Sequence, residues 1–186
     1  MNIIFLDMDG VVNSTDFFAR WTESRGSDPG SMEEFKRLYY MHGGYEGYVV
    51  PDLLRTVRLL AEETGSRIVW SSSWRERFLL PGCCDRFDED GIRACWEAKG
   101  LDFGRYAGCT PCLNATRFSY VPRCREIMRW VRDHAEEYNM QRAVILDDDP
   151  DAAVCHPLLL TVLTDMVFGL TDDKAEFARR WLLDEV

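Results

Sequence analysis

The sequence lacks the features of a membrane-spanning, exported or repetitive protein. No apolar run in its 186 residues approaches the roughly 20 residues needed to cross a bilayer. The amino terminus carries neither a basic segment nor a small-residue cleavage site, so no signal peptide is predicted. Internal repeats and low-complexity tracts are also missing. The composition is that of an ordinary globular protein. The chain length suits one domain.

Positive charge is scarce. The chain has 22 lysine and arginine residues against 32 aspartates and glutamates, which gives a net charge of −10 at pH 7. Lysine in particular is found only at Lys36, Lys99 and Lys174. Such an acidic balance argues against broad, nonspecific attraction to nucleic acid, although it leaves room for a local basic patch.

Cysteine is present in an odd number, seven. Without an export signal, these residues are expected to be reduced thiols in a cytoplasmic protein. Cys109 and Cys112 have the CxxC spacing of a redox or zinc motif, and Cys83, Cys84 and Cys95 could complete a zinc site. Because the chain has no second CxxC pair, buried or incidental thiols are the favoured interpretation.

Apolar runs alternate with amphipathic segments along most of the chain. Strands are predicted over residues 2–7, 68–70, 105–110, 143–146 and 158–164, and helices over residues 52–64, 88–99, 123–138 and 172–184. Continuously apolar strands are typical of strands covered on both faces. The alternation of strand and helix predicts an α/β fold with a doubly wound parallel sheet.

Two segments are too long to be tight connections between neighbouring elements. Residues 14–50 are rich in glycine, serine and aromatic side chains, and a helix is predicted around residues 31–41. Residues 76–104 have a mixed composition that is rich in turn-forming residues. Each segment is predicted to be a small cap or flap inserted into a single domain of residues 1–186.

The first strand ends in two acids, Asp7 and Asp9, followed by Gly10. In open α/β sheets, ligands bind at the carboxyl ends of the strands. Neighbouring carboxylates repel each other, so both stay ionised only where a cation or a basic group compensates them. Mg²⁺ fits this requirement, because it is held by one or two carboxylates together with phosphate oxygens and water. Gly10 lets the backbone turn sharply beside the ligand.

Polar clusters also follow two later strands. The strand over residues 68–70 runs into Ser71 and Ser72, and the strand over residues 143–146 runs into Asp147 and Asp148. The carboxyl ends of parallel strands meet at one edge of the sheet, so the three clusters are expected to converge.

In this order, the polar clusters resemble the haloacid dehalogenase (HAD) superfamily of aspartate-nucleophile phosphotransferases. The resemblance implies that Asp7 attacks phosphorus and forms an aspartyl-phosphate. It implies that Asp9 protonates the leaving oxygen and then activates water, a role that favours phosphatase over dehalogenase chemistry. It further implies a Mg²⁺ site made by Asp7, the backbone carbonyl of Asp9 and Asp148, with Asp147 as the neighbour that orients water or a basic residue. Asp149 is expected to be a turn or cap residue.

The resemblance also implies a hydroxyl group after the second strand, which would hold a phosphoryl oxygen together with a backbone N–H. Counting from the strand favours Ser71, whereas the register of Trp74 favours Ser72. The simpler interpretation of the serine run is a helix N-cap.

A cation is expected just before the last catalytic strand. Most members of the superfamily use lysine, but none of the three lysines has the required spacing. Arg123 is the best match, and Arg117 and Arg125 are nearby alternatives. The competing interpretation of each arginine is a solvated helix face.

A narrower resemblance is to the HAD domains of Swiss Army Knife RNA-repair proteins, a branch that tolerates arginine at the cation position. It covers about three quarters of the chain and leaves out most of residues 14–50. The residues that carry it are IVWSSSWR at 68–75, residues 108–111, Arg123 with Glu126, Ile127 and Trp130, VILDDD at 144–149, and residues 169–171.

The resulting hypothesis is a Mg²⁺-dependent phosphomonoesterase acting on a nucleotide or a nucleic-acid end. Aromatic side chains in residues 14–50 could stack on a base, while the net charge of −10 favours a small phosphate ester over a long polynucleotide. The alternatives are a HAD-fold binding or regulatory module without turnover, and a phosphatase of another small ester. The sequence does not determine whether the domain works with a protein partner, and no membrane association is predicted.

Overall fold

The computed structural model describes residues 1–25, 49–113, 121–154 and 156–186. The strands are β1 (Asn2–Leu6), β2 (Arg67–Trp70), β3 (Tyr106–Cys109), β4 (Arg142–Asp147) and β5 (Leu159–Leu163). The helices are α1 (Thr15–Arg25), α2 (Pro51–Glu63), α3 (Glu89–Ala98), α4 (Arg123–His134) and α5 (Asp172–Leu182). Short 3₁₀ helices cover Ser73–Phe78, Phe103–Arg105 and Pro150–Ala152. Among these residues, no helix combines the length and apolar character that crossing a bilayer requires.

The five strands form one parallel sheet in the order β3-β2-β1-β4-β5, which confirms the doubly wound fold. The chain builds outward from β1 in one direction through β2 and β3, and in the other direction through β4 and β5. The boundary between β1 and β4 is therefore the topological switch point, where ligands bind in open sheets of this kind.

Both faces of the sheet are covered. Alternate residues of β1 point to opposite faces, and all of Ile3–Leu6 are fully buried. Ile4 and Leu6 pack in the cluster that contains α2, α3 and α5. Phe5 packs on the other face against α4, with its ring centroid 5.3 Å from that of Trp130. This two-sided burial explains why β1 is continuously apolar.

Helix α4 is shorter than the sequence predicted, because it ends at His134 and not at residue 138. The chain leaves the helix through a turn in which Asn139 has a φ of 46° and the Met140 N–H donates to the Ala135 carbonyl at 2.8 Å. A left-handed residue of this type closes a helix carboxyl terminus. The start of the helix at Arg123 agrees with the prediction.

The two predicted insertions differ in what the structure describes. In residues 14–50, the sequence analysis missed α1, and the helix predicted around residues 31–41 lies outside the described residues. Residues 76–104 contain α3, whose Trp96 is buried in the main core. Their roles as caps, and the single-domain organisation, stay predictions.

Candidate active site

Three carboxylates converge at the switch point. Asp7 directly follows β1, Asp147 is the last residue of β4, and Asp148 follows it. One carboxylate oxygen from each lies within 4.8 Å of the other two. Asp7 and Asp147 are buried, whereas Asp148 is half-buried. The expected convergence of the β1 and β4 clusters is therefore present.

Gly10 lets the first loop approach this acidic cluster closely. Its φ is +66°, in the left-handed region that favours glycine. A Cβ atom at this position would lie 2.6 Å from the carboxyl carbon of Asp148. Backbone conformation and space therefore both select glycine at the position where the sequence predicted a sharp turn.

Arg123 joins the carboxyl ends of three strands. Its Nη1 donates to Asp7 Oδ1 at 3.1 Å and also to the Ser71 carbonyl oxygen. Its Nε lies 3.5 Å from Asp147 Oδ2. The structure thus brings Arg123 to the expected place, whereas Arg125 is exposed and Arg117 lies outside the described residues.

Burial raises the pKa of all three converging carboxyl groups. The pKa of Asp7 rises to about 7 and that of Asp147 to about 6, even though the Arg123 guanidinium acts in the opposite direction. Burial also raises the pKa of Asp148. Mutual repulsion adds to the effect of burial, because Asp147 raises the pKa of Asp7. The cluster is short of positive charge.

This charge imbalance fits a divalent cation. Asp147 Oδ1 accepts a hydrogen bond from the Asp149 N–H at 2.9 Å, but the buried Oδ2 has no hydrogen-bond partner among the described residues. One guanidinium offsets only one of three negative charges. An all-oxygen donor set is typical of Mg²⁺ and similar hard ions, so the residues present fit the predicted metal.

Asp9 is held differently from the three converging acids. Its Oδ1 accepts a hydrogen bond from Asn13 Nδ2 at 2.7 Å, and its Oδ2 accepts one from Trp74 Nε1 at 2.9 Å. Its side chain does not belong to the group of three carboxylates. The arrangement is compatible with a metal contact through the backbone carbonyl and leaves the side chain free for another role.

Both candidate serines are fully buried next to Asp7. Ser71 extends the sheet, because its N–H donates to the Leu6 carbonyl at 2.8 Å, and its hydroxyl has no partner among the described residues. The Ser72 hydroxyl accepts from the Trp74 N–H at 3.3 Å and so caps the 3₁₀ helix. A hydrogen bond from Ser72 also acts to lower the pKa of Asp7. The choice between the two serines stays open.

Sequence reasoning gave no role to a buried ion pair beside the site. Arg75 Nη2 lies 2.5 Å from Glu126 Oε2, and the two side chains are 2% and 6% exposed. Arg75 also donates to the carbonyl oxygens of Thr110 and Pro111, at 2.8 and 3.1 Å. Arg75 therefore connects the segment after β2 to the loop after β3, and its ion pair with Glu126 connects the same segment to α4. Both residues belong to motifs that carry the family resemblance, but nothing in the sequence indicated that they meet.

The cysteines form no metal cluster within the described ranges. The group Asp7, Asp147 and Asp148 is the one set of three or more potential ligands that converges there. Burial raises the pKa of the Cys109 thiol to about 12 and that of Cys112 to about 11, so both thiols stay protonated at neutral pH. Cys112 is buried and Cys109 is half-buried, and a protonated thiol is a weak nucleophile.

The fold is an α/β domain with a cluster of three carboxylates at the switch point of a parallel sheet. The profile of one family, described as "HAD domain in Swiss Army Knife RNA repair proteins", matches residues 3–175. The chain belongs to this family, as its motifs suggested. No curated protein and no solved structure matches the chain.

Proposed function

We propose that this protein is a Mg²⁺-dependent phosphomonoesterase that works through an aspartyl-phosphate on Asp7. The observation that carries the proposal is the convergence of the buried Asp7 and Asp147 with the half-buried Asp148 at the switch point, with Arg123 as their counter-charge. Membership of a HAD-domain family supports phosphoryl-transfer chemistry at this position.

Asp7, Asp148 and the backbone carbonyl of Asp9 would hold the ion, with Asp147 beside them. When bound, Mg²⁺ supplies positive charge that reduces the repulsion between the substrate phosphate and the carboxylates. Arg123 holds the Asp7 carboxylate through Oδ1, which leaves the other carboxylate oxygen to face the phosphorus atom. The guanidinium also offsets charge on the phosphoryl group.

In the first chemical step, an oxygen of Asp7 forms a bond to phosphorus as the bond from phosphorus to the leaving oxygen breaks. Asp9 transfers its proton to that leaving oxygen. A carboxylate nucleophile divides one difficult displacement into two easier ones. The hydroxyl of Ser71 or Ser72 donates a hydrogen bond to a non-bridging phosphoryl oxygen.

In the second step, a water molecule attacks the phosphorus of the aspartyl-phosphate. Asp9, now ionised, accepts a proton from this water. The bond between phosphorus and Asp7 breaks, inorganic phosphate leaves, and both carboxyl groups return to their starting states. An ionised Asp7 and a protonated Asp9 are needed together, so the pH profile is bell-shaped with a maximum at mildly acidic to neutral pH.

For the substrate, we propose a nucleotide or the phosphorylated end of a nucleic acid. The family description places related domains in RNA-repair proteins, and the net charge of −10 favours a short substrate over a long polynucleotide. A cytoplasmic location stays a prediction.

The test is phosphate release with Mg²⁺ and again with EDTA. The panel holds p-nitrophenyl phosphate, 5′- and 3′-nucleotides, and oligonucleotides phosphorylated at either end. We expect release that depends on Mg²⁺ and falls at least about 10⁴-fold in Asp7→Asn, because the nucleophile is lost.

Asp149→Asn is the matched control, because it makes the same substitution at the aspartate next to Asp147 and Asp148. Asp149 caps the 3₁₀ helix at Pro150–Ala152 through its side chain, as expected from the sequence, and asparagine caps equally well. This variant keeps its activity. Metal-independent release, or an active Asp7→Asn variant, would contradict the proposal, and the absence of release from every substrate would favour a binding module.

A further inference from the structure

We propose that Trp74 is a positioning residue, which holds the carboxyl group of Asp9 in place for proton transfer to the leaving oxygen. This inference rests on the proposed function, because it needs Asp9 as the acid. Its geometric basis is the hydrogen bond from Trp74 Nε1 to Asp9 Oδ2 at 2.9 Å, between residues 65 positions apart in the chain.

Asp9 is fixed from two directions. Asn13 donates to Oδ1 from within the same loop at 2.7 Å, and its own Oδ1 accepts the Gly10 N–H at 2.8 Å. Trp74 donates to Oδ2 from the loop after β2. A carboxyl group with a donor on each oxygen keeps one orientation, and general-acid catalysis requires the proton donor within hydrogen-bond reach of the leaving atom.

Trp74 itself has little freedom to move. Its backbone N–H is bound to Ser72 Oγ at 3.3 Å, and the next residue, Arg75, is tied into the buried ion pair with Glu126. Its side chain is 9% exposed and packs in the main core. The ammonium of Lys99 lies 4.9 Å from the centroid of the indole ring, in a cation–π contact. The indole is therefore a rigid, neutral donor.

Two other buried tryptophans show that this contact is not simply a way to satisfy an indole N–H. Within the described residues, Nε1 of Trp70 and Nε1 of Trp96 are both buried without a hydrogen-bond partner. The core therefore tolerates unpaired indole N–H groups. Trp74, in contrast, donates its indole N–H to the carboxyl group of Asp9, which the proposed mechanism uses. Trp70, four residues earlier and in the same core cluster, is the natural control.

Proton transfer from Asp9 matters more for some substrates than for others. A dinitrophenolate leaves as a stable anion, so breaking its bond to phosphorus needs little protonation. An alkoxide, such as the 5′-oxygen of a nucleoside, is strongly basic and needs the proton from Asp9 as the bond breaks. A misplaced Asp9 should therefore slow alkyl esters selectively, whereas general damage to the site slows both kinds of ester alike.

The experiment compares Trp74→Phe with the unmodified protein on a nucleoside 5′-monophosphate and on 2,4-dinitrophenyl phosphate. Phenylalanine keeps an aromatic ring and removes the N–H. We expect kcat/KM for the nucleotide, which reports formation of the aspartyl-phosphate, to fall about tenfold or more, as part of the roughly 10²–10⁴-fold that general acid catalysis supplies. For the dinitrophenyl ester we expect kcat/KM to fall by less than about threefold.

Two further variants complete the test. Trp70→Phe should show no selectivity between the esters. In an Asp9→Asn background, Trp74→Phe should cause no additional loss, because the group it positions can no longer donate a proton. Where Trp74→Phe fails to fold, benzothienylalanine at position 74 keeps the size of the indole and removes only its N–H.

An equal loss of kcat/KM on both esters overturns the role of Trp74, as does a further loss in the Asp9→Asn background. Failure of the proposed function has a different signature, since the unmodified protein would then hydrolyse neither ester with Mg²⁺. The two failures are therefore distinguishable in one set of assays.

Discussion

Two groups of buried charges lie at the same edge of the sheet and are built in opposite ways. Arg75 faces one carboxylate, Glu126, and it also donates to three backbone carbonyl oxygens, those of Ser72, Thr110 and Pro111. Arg123 faces Asp7 and Asp147, with Asp148 unbalanced beside them. The first group is complete within the protein, whereas the second lacks positive charge.

The difference separates a structural ion pair from a ligand site. A buried ion pair adds little net stability because both charges lose their hydration, but removing one partner is costly because the other charge stays buried and unpaired. A buried cluster with excess negative charge and an oxygen that accepts no hydrogen bond is poised to bind a cation, and perturbed pKa values are typical of such functional sites. Burial alone therefore does not identify the site, because both groups are buried and only their charge balance differs.

Breaking the balanced pair should have the largest effect on folding. Glu126→Ala leaves the Arg75 guanidinium buried without its counter-charge and removes the acceptor of the Leu113 N–H. We expect the free energy of unfolding to fall by about 3–5 kcal/mol, measured by urea denaturation. Glu126→Gln keeps an acceptor and should lose less. An unchanged urea midpoint in Glu126→Ala would contradict a structural role for the pair.

Removing Arg123, the basic residue that the described part of the chain places against the unbalanced cluster, should mainly affect catalysis. Arg123→Ala is expected to lower kcat about 10²–10³-fold, the typical cost of one donor to a transition-state charge. Arg123→Lys should recover part of the loss, since one ammonium can pair with Asp7 but cannot make all the contacts of the guanidinium fork. Arg125→Ala, on the exposed side of the same helix, is the control. Equal activities of Arg123→Ala and Arg125→Ala would show that Arg123 lies outside the chemistry.

The smallest expected effect is on how the stability of the metal-free protein depends on pH. It tests whether the cluster around Arg123 lacks positive charge, unlike the pair of Arg75 and Glu126. The pKa values of Asp7 and Asp147, about 7 and about 6, lie above the ordinary value of 3.8. The folded protein therefore binds more protons than the unfolded chain between about pH 4 and 7. The contribution of these groups to metal-free stability accordingly falls as the pH rises through this window.

Mg²⁺ competes with these protons, so its stabilising effect should grow with pH. The measurement is the difference in Tm between Mg²⁺ and EDTA at pH 5 and at pH 8, which cancels the titration of distant groups. At pH 8, a free Mg²⁺ concentration of about a hundred times its Kd should raise the free energy of unfolding by about 2.7 kcal/mol. At pH 5 the increase should be smaller. A difference that is the same at both pH values would exclude proton competition at this cluster.

The fold and the convergence of Asp7, Asp147 and Asp148 could be predicted, because they follow from rules of chain geometry. Apolar runs define parallel strands, and the acids that follow them must meet at one edge. The position of Arg123 could also be predicted, because it is the first residue of a helix that packs beside the switch point. These inferences need only the positions of elements, which local sequence patterns reveal.

The contacts of Trp74 and Arg75 could not be predicted in the same way. Trp74 meets Asp9 across 65 positions and Arg75 meets Glu126 across 51 positions, and both contacts depend on side-chain rotamers set by packing. The choice between Ser71 and Ser72 has the same origin, since both are buried at the site. Helix α1 was missed because the glycine-rich and aromatic composition of residues 14–50 obscured its short pattern.

The backbone contacts at the two ends of residues 14–50 have a consequence for how such a domain changes its specificity. Where the segment leaves, the N–H groups of Thr15 and Asp16 donate to the carbonyl oxygens of Met166 and Val167; where it returns, the Val50 N–H donates to the Val12 carbonyl. These joints use main-chain atoms, so they place few demands on side-chain identity. Lengthening a loop whose ends are already fixed costs only about 0.6 kcal/mol for each doubling. We therefore expect that the residues between these joints can change in length and sequence while Asp7, Asp147 and Asp148 keep their positions.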